Sequence, residues 1–175
     1  MPLVSGGEET SGHHRHRLFA GTMRVAVIGA TGYVGGRLVP ELLAAGHNVR
    51  CLARTPARLD EVEWRPDVEV TAADVLDRGS LDAAFEGIEA VYYLVHAMGQ
   101  TGDFAESDRI GAENTRMAAE SAGVSRIVYL GGLGEDDPDK LSSHLASRHE
   151  VGKVLASGGV SVTELRAAVI IGSGS

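Results

Sequence analysis

Two rhythms of apolar and polar positions take turns along this chain. Short apolar runs stand at Arg24–Ile28, Val49–Ala53, Val68–Ala72, Ala90–Val95, Arg126–Leu130 and Val160–Leu165, and each predicts a strand. Between them the apolar residues recur at helical spacing. Over Tyr33–Ala45, Val34, Leu38 and Leu42 share one face with Val39 and Leu43 beside it, and Gly46 offers a stop. Pro40 inside this segment predicts a kink. Pro56 to Leu59 predicts a short helix, and Ser80 is placed to cap one over Leu81–Glu86, closed by Gly87. Longer helices are expected over Phe104–Ala122, before Gly123, and over Ser143–Ser157, stopped by Gly158-Gly159. The run Ala90–Val95 is almost unbroken, as a strand covered on both faces requires.

Strands that alternate with helices imply right-handed crossovers and a doubly wound parallel α/β sheet with helices on both faces. A length of 175 residues predicts one domain. With 43% apolar and 23% charged residues the composition is that of an ordinary soluble domain. The net charge of −8 argues against nucleic acid as a partner, because such proteins carry a basic footprint. No stretch reaches the length of a membrane span. The single cysteine, Cys51, permits no internal disulfide and reads as a small buried residue; with the lack of a secretory signal it points to a cytoplasmic location. Residues 1–22 are expected to form a disordered tail ahead of a domain at 23–175. His13, His14 and His16 fall in that tail and are read as part of it rather than as a metal site. The segment from Gly131 to Lys140 reads as a polar loop with an acidic run at Glu135-Asp136-Asp137.

The strand at Val25–Ile28 runs directly into Gly29, Gly32 and Gly35 at three-residue spacing, and a helix follows at once. Alone the glycine spacing is weak. In the order strand, glycine turn, helix it is the arrangement that brings a pyrophosphate against backbone N–H groups at a helix N-terminus. An acid at the end of the second strand would bind ribose hydroxyls and favour NAD. Here that strand ends Leu52-Ala53-Arg54-Thr55. Arg54, helped by Arg58, has the planar charged fork that suits a 2′-phosphate, so NADP is favoured with NAD as the alternative.

The stretch Val27-Ile28-Gly29-Ala30-Thr31-Gly32-Tyr33-Val34-Gly35 resembles the turn of the extended and atypical branches of the short-chain dehydrogenase/reductase superfamily. The similarity is greatest to atypical, NmrA-like members and covers about residues 23–172. It implies a Rossmann-type fold in which Gly29, Thr31, Gly32, Tyr33 and Val34 line the phosphates and Gly35 lets the helix pack onto the sheet. It also implies that Asp74 and Val75 flank the adenine; the alternative for Asp74, or for Asp77, is a helix cap. Val95, His96 and Ala97 end the fourth strand, where ligands sit in open α/β sheets. His96 is a candidate for the nicotinamide side, against a plain packing role.

Active members of the resembling family carry Tyr-x-x-x-Lys on the helix after the fifth strand and a serine at that strand's end. This chain departs at both places. The matching is read as His149 at the tyrosine and Lys153 at the lysine, with glycine in Gly131-Gly132 where serine is expected. In one reading His149 is a substitute acid, its reference pKa of about 6.5 pushed lower by a neighbouring lysine. In the other, which the missing serine favours, His149 and Lys153 only bind cofactor. Almost nothing follows Leu165, so the substrate-side C-terminal part is expected to be largely absent. Three functions follow in order. The first is an NADP-preferring domain of an atypical short-chain reductase-like protein, moving hydride to or from a small organic substrate. The second is a nucleotide-sensing regulator or assembly factor that binds a protein partner without turnover. The third is an epimerase or dehydratase acting on nucleotide-linked substrates. The helix at Phe104–Ala122 is a candidate surface for a homo-oligomer.

Overall fold

Successive residues of a strand face opposite sides, and this sets the layers. Ala26 and Ile28 of β1 (Arg24–Ile28) enter one core while Val25 and Val27 enter the other. In β2 (Asn48–Ala53) Leu52 joins the first core and Val49, Cys51 and Ala53 the second. A computed structural model of the chain describes residues 21–96, 104–134 and 142–172. Its remaining elements are α1 (Tyr33–Ala44), β3 (Glu69–Ala72), α2 (Arg78–Ala84), β4 (Ala90–Tyr93), α3 (Phe104–Ala122), β5 (Arg126–Gly132), α4 (Ser143–Ala156) and β6 (Ser161–Ala167). Short 3₁₀ turns at Pro56–Leu59 and Arg65–Asp67 link β2 to β3. The sheet has six strands, all parallel, in the order β3-β2-β1-β4-β5-β6. The order reverses direction between β1 and β4, and a crevice opens above their C-terminal ends at that point.

The first core lies under α2, α3 and α4, with Leu81, Phe85, Tyr93, Ile127, Tyr129 and Leu155 almost fully buried. The second lies under α1 and the first 3₁₀ turn, around Val27, Val39, Cys51 and Leu59. Val162 of β6 packs toward the first core, and Glu164 lies against Gly152 of α4. Leu165 faces the other side and is 53% exposed. Among the described residues, no helix covers that side of β5 and β6.

Several boundaries differ from the sequence expectation. The second helix begins at Arg78, before Ser80, because the Asp77 side chain accepts from Gly79 N–H and Ser80 N–H and is the cap. The Ser80 hydroxyl instead accepts from Asp74 N–H at 3.0 Å and fixes the turn after β3. β4 ends at Tyr93, where Leu94 and Val95 pass over Gly29. β5 runs on to Gly132 because β6 continues beside it to Ala167. Pro40 leaves α1 unbroken and is itself exposed. Gly46 does end the helix, at φ +88°. The tail through Ala20, including His13, His14 and His16, lies outside the described residues, as do Ala97 and the acidic run Glu135-Asp136-Asp137. None of the described helices is long and apolar enough to cross a membrane.

Candidate functional site

The glycine turn is shaped by close approach. Gly29 sits at φ +97°, a conformation costly for other residues, and a Cβ there would meet Val95 Cγ1 at 3.0 Å. A Cβ on Gly35 would collide with the Gly29 carbonyl oxygen and come within 2.7 Å of Ala30 Cα. Gly35 is thus what lets α1 rest on the end of β1. Gly32 caps α1 with no side-chain hydrogen bond, and its own N–H donates to Gly29 O at 3.0 Å. The first turn of α1 carries no acidic residue. Its N–H groups and the positive end of its dipole therefore have no side-chain anion to satisfy them. Tyr33 and Val34 occupy this turn. The Arg37 guanidinium lies 4.6 Å from the centre of the Tyr33 ring, and the Tyr33 hydroxyl lies against Gly172.

A cavity of about 410 Å³ opens beside the turn. Gly29 and Thr31 form one wall, Arg54, Thr55 and Arg58 a second, Asp74, Val75 and Leu76 a third, and Tyr93, Val95, His96 and Asp108 the inner end. The structure thus brings Gly29, Thr31, Arg54, Asp74, Val75, Val95 and His96 to one space. Leu76 N–H donates to Asp74 Oδ1 at 3.0 Å, which orients the carboxylate. Val75 is pinned by Asn114, whose Nδ2 donates to its carbonyl at 2.9 Å. It also packs against Gly111 of α3, where a Cβ would meet it at 3.0 Å. Arg54 and Arg58 are exposed, and among the described residues neither side chain forms an ion pair or hydrogen bond. Arginines elsewhere are engaged: Arg50 with Glu69, Arg78 with Asp82, Arg109 with Glu106 and Glu113, and Arg116 with Glu120.

The other half of the crevice wall is a chain of mutually satisfied groups. Asp108, 5% exposed, accepts from the Ser147 hydroxyl at 3.0 Å. Tyr129 donates its hydroxyl proton to Arg148 O at 2.9 Å and stacks edge-on with Tyr93, ring centres 5.9 Å apart. Burial pushes the Tyr129 phenol up to about 12 and the Tyr93 phenol higher still, so both stay neutral. The Arg148 guanidinium donates to the Leu130 carbonyl and lies 5.8 Å from the Tyr129 ring centre. His96 meets His144 of α4 edge-on at 5.5 Å between ring centres, and its Nδ1 is buried without a partner.

His149 and Lys153 are not brought to this cavity. His149 is 8% exposed, with Nε2 3.2 Å from Gly132 O. Lys153 lies one turn further along α4 and is exposed. A Cβ would run into the Glu164 carboxylate at Gly131 and come within 2.7 Å of Leu145 Cδ2 at Gly132, so a serine at either place requires those side-chain ends to shift. His144, Arg148, Ser147 and Asp108 are the wall residues the sequence reading missed or left without a role. One signal for two of them was present, since His144-Leu145-Ala146-Ser147-Arg148 has the same His-x-x-x-cation spacing as His149 to Lys153. Cys51 is fully buried and its thiol is pushed up to about 12, which makes it packing and not a nucleophile. Among the described residues no cluster of three or more acidic, histidine or cysteine side chains is arranged to hold a metal.

The residues present fit a dinucleotide. The glycine cradle would be filled by a Cβ, the helix end has no side-chain cap, and two unpaired guanidiniums line the cavity. Comparison with known proteins agrees. The family described as NAD(P)H-binding matches residues 29–170. Cinnamoyl-CoA reductase 1 of rice (Oryza sativa subsp. japonica) is 36% identical over 116 residues, covering 63% of this chain and 34% of its own. Among solved structures, a putative NAD-dependent epimerase/dehydratase from Bacillus halodurans superimposes with a TM-score of 0.73 at 26% identity, covering 83% of this chain and 70% of that one. The NADPH-dependent quinone oxidoreductase of Escherichia coli, complexed with NADPH, gives 0.66 at 28% identity, covering 81% and 48%. The chain thus spans about a third of the rice reductase and about half of the quinone oxidoreductase. With the cradle, the strand order and the family match in agreement, the chain belongs to the NAD(P)H-binding family of atypical short-chain dehydrogenase/reductase-like proteins.

Proposed function

We propose that this domain binds NADP(H) in preference to NAD(H), within a protein that moves hydride to or from a small organic substrate. The observation that carries the preference is the pair Arg54 and Arg58. Both line the cavity at the end of β2, no acid falls between Ala53 and Leu59, and neither side chain is engaged elsewhere among the described residues. In this reading Gly29, Thr31, Gly32, Tyr33 and Val34 hold the diphosphate through backbone N–H groups, and Gly35 keeps α1 close enough for them to reach it. Asp74 and Val75 hold the adenine, Asp74 accepting from its amino group through the oxygen that Leu76 does not occupy. Arg54 and Arg58 grip the 2′-phosphate. The bound nicotinamide supplies the hydride chemistry. Relatives named as reductases and oxidoreductases support that class.

Titration calorimetry with NADP⁺ and NAD⁺ tests the preference. NADP⁺ is expected to bind more tightly, and Arg54→Asp to weaken it by about tenfold to a hundredfold while leaving NAD⁺ nearly unchanged, since a charge-assisted hydrogen bond contributes about 1.5–3 kcal/mol. Equal affinities, or equal losses, refute it. A second reading, a nucleotide sensor without turnover, is favoured by Gly131 and Gly132, which put no hydroxyl at the end of β5. Tight NADPH binding with no oxidation across a panel of ketones, aldehydes and quinones supports the sensor.

A further inference from the structure

On the inner side of the crevice, polar side chains of β5 and α4 are held by a side chain or by a backbone carbonyl. Arg148 is held by Leu130 O, Ser147 by Asp108, Tyr129 by Arg148 O and His149 by Gly132 O. Two groups stand outside this network. His96 follows the end of β4 and lines the cavity, and His144 occupies the first turn of α4. Their rings touch edge-on at 5.5 Å, and among the described residues neither makes a hydrogen bond. Leaving a buried imidazole nitrogen unpaired costs free energy, and such groups in native folds call for an explanation.

Their position supplies one. In a doubly wound sheet a dinucleotide crosses the switch point, one nucleotide on each half. Arg54, Arg58 and Asp74 belong to the β1–β3 half, and His96 and His144 to the β4–β6 half. The pair therefore sits where the second nucleotide and its reaction partner end. The charged groups that act on His96 are Arg148 and His144, which disfavour a charged ring, and Asp108, which favours one. Burial is the largest influence and also keeps the ring neutral, so His96 retains one N–H and one bare nitrogen.

Building on the cofactor reading above, we propose that His144 and His96 are the hydrogen-bonding contact for the oxygen of a carbonyl or alcohol substrate, His144 donating to that oxygen and His96 fixing the orientation of the His144 ring. Arg148 stands behind them with its guanidinium against β5, giving the site a positive potential that suits an oxygen gaining negative charge. The ligand class is thus a neutral ketone, aldehyde or secondary alcohol. The His149 and Lys153 pair has no part in the contact.

The test follows the ring nitrogens by long-range ¹H–¹⁵N spectroscopy across pH 5–9. It compares the wild-type chain with His144→Gln and His96→Gln, each free, with NADP⁺ and with adenosine 2′,5′-bisphosphate, a probe that lacks the nicotinamide half. NADP⁺ is expected to shift the His96 and His144 resonances and leave those of His149 in place, and the bisphosphate to shift neither. In His144→Gln the titration midpoint of His96 is expected to rise. Shifts at His149 in place of His144, equal shifts with both probes, or a His96 midpoint indifferent to His144→Gln overturn the proposal. Calorimetry on the same samples keeps the two readings apart. NADP⁺ that binds but leaves both rings unmoved refutes this pair alone, and absence of binding by either probe refutes the cofactor reading on which it rests.

Discussion

The two halves of the sheet are built on different terms. The β1–β3 half is covered on both faces, by α1 and the 3₁₀ turn on one side and by α2 on the other, and among the described residues it leaves the side chains of Arg54 and Arg58 without a partner. In the β4–β6 half, β5 and β6 are packed against α3 and α4 on one face, with Leu165 exposed on the other, and polar side chains are tied to one another or to backbone carbonyls, as Ser147 is to Asp108 and Tyr129 to Arg148 O. The first half reads as a finished receptor for a charged ligand. The second reads as a hydrogen-bonded wall whose cavity edge carries the ring pair of His96 and His144. In a chain of net charge −8, Arg54 and Arg58 form a local basic spot at the cavity mouth, which is the feature the proposed 2′-phosphate contact rests on.

The largest effect is expected where the halves meet. Gly35→Val puts a branched side chain into the Gly29 carbonyl and Ala30, where even one carbon does not fit. Overpacking of this kind costs about 1–3 kcal/mol, and relief requires α1 to lift from β1. NADP⁺ binding is expected to be lost, with thermal unfolding several degrees lower. Retained binding would mean that the helix end is not the diphosphate contact. Next comes Leu155→Ala in α4, which empties a fully buried position. A loss of about 2–5 kcal/mol is expected in denaturant unfolding. Adenosine 2′,5′-bisphosphate affinity, measured below the unfolding range, should not change, because its contacts lie in the other half. A parallel fall in that affinity would show that the halves are not separable.

A smaller effect divides the halves by pH. Burial, then Arg148 and His144, hold the His96 pKa below its ordinary value. Between that lowered value and about 6.5 the unfolded chain binds a proton that the folded chain does not, so stability rises with pH across this window. Acidification from pH 6.5 therefore removes stability until the folded value is passed. His96→Gln should flatten that part of the profile while leaving the region above pH 7 unchanged. An unaltered slope would place the acid sensitivity elsewhere.

How much of this was legible beforehand depended on how strongly side chains signalled their surroundings. β1, the glycine turn and α1 were readable to within a residue or two, because an apolar run, a fixed glycine spacing and a helical apolar stripe all pointed the same way. The register of α4 was not. Its buried positions include Ser147, His149 and Gly152, which are not apolar, so periodicity gave no inward face. Glycine at 152 answers to Glu164 from β6, a contact across the fold that no local pattern announces. Two histidines of α4, each followed four residues later by a cation, fit one role equally well by spacing, and only His149 was matched to it. Five residues of helix separate them by about 140° of rotation and about 7.5 Å along the axis, so they face different surroundings. The cap of α2 was left between Ser80 and, as an alternative, Asp77, and the structure takes Asp77. Asp77 and Ser80 are both good caps, and the choice was made by the turn that Ser80 has to hold at Asp74.

Which of the two histidine spacings carries the role can be settled by the smallest expected effect. Lys153 is exposed in the third turn of α4, among the described residues it makes no ion pair, and it does not line the cavity. Lys153→Ala removes one solvated charge from a helix surface, a change that falls within about 0.5 kcal/mol in such positions. If the ribose contact belongs to the crevice wall around His144 and Arg148, calorimetry should give the same NADP⁺ affinity for Lys153→Ala as for the wild type. Arg148→Lys shortens the reach to Leu130 O and gives up the planar fork, so it should weaken NADP⁺ while keeping the charge. A result in the opposite order, with Lys153→Ala weak and Arg148→Lys unchanged, would turn α4 by about 140° in functional terms and return the role to His149 and Lys153. The two variants differ in which face of one helix they touch, so the measurement reads the face directly.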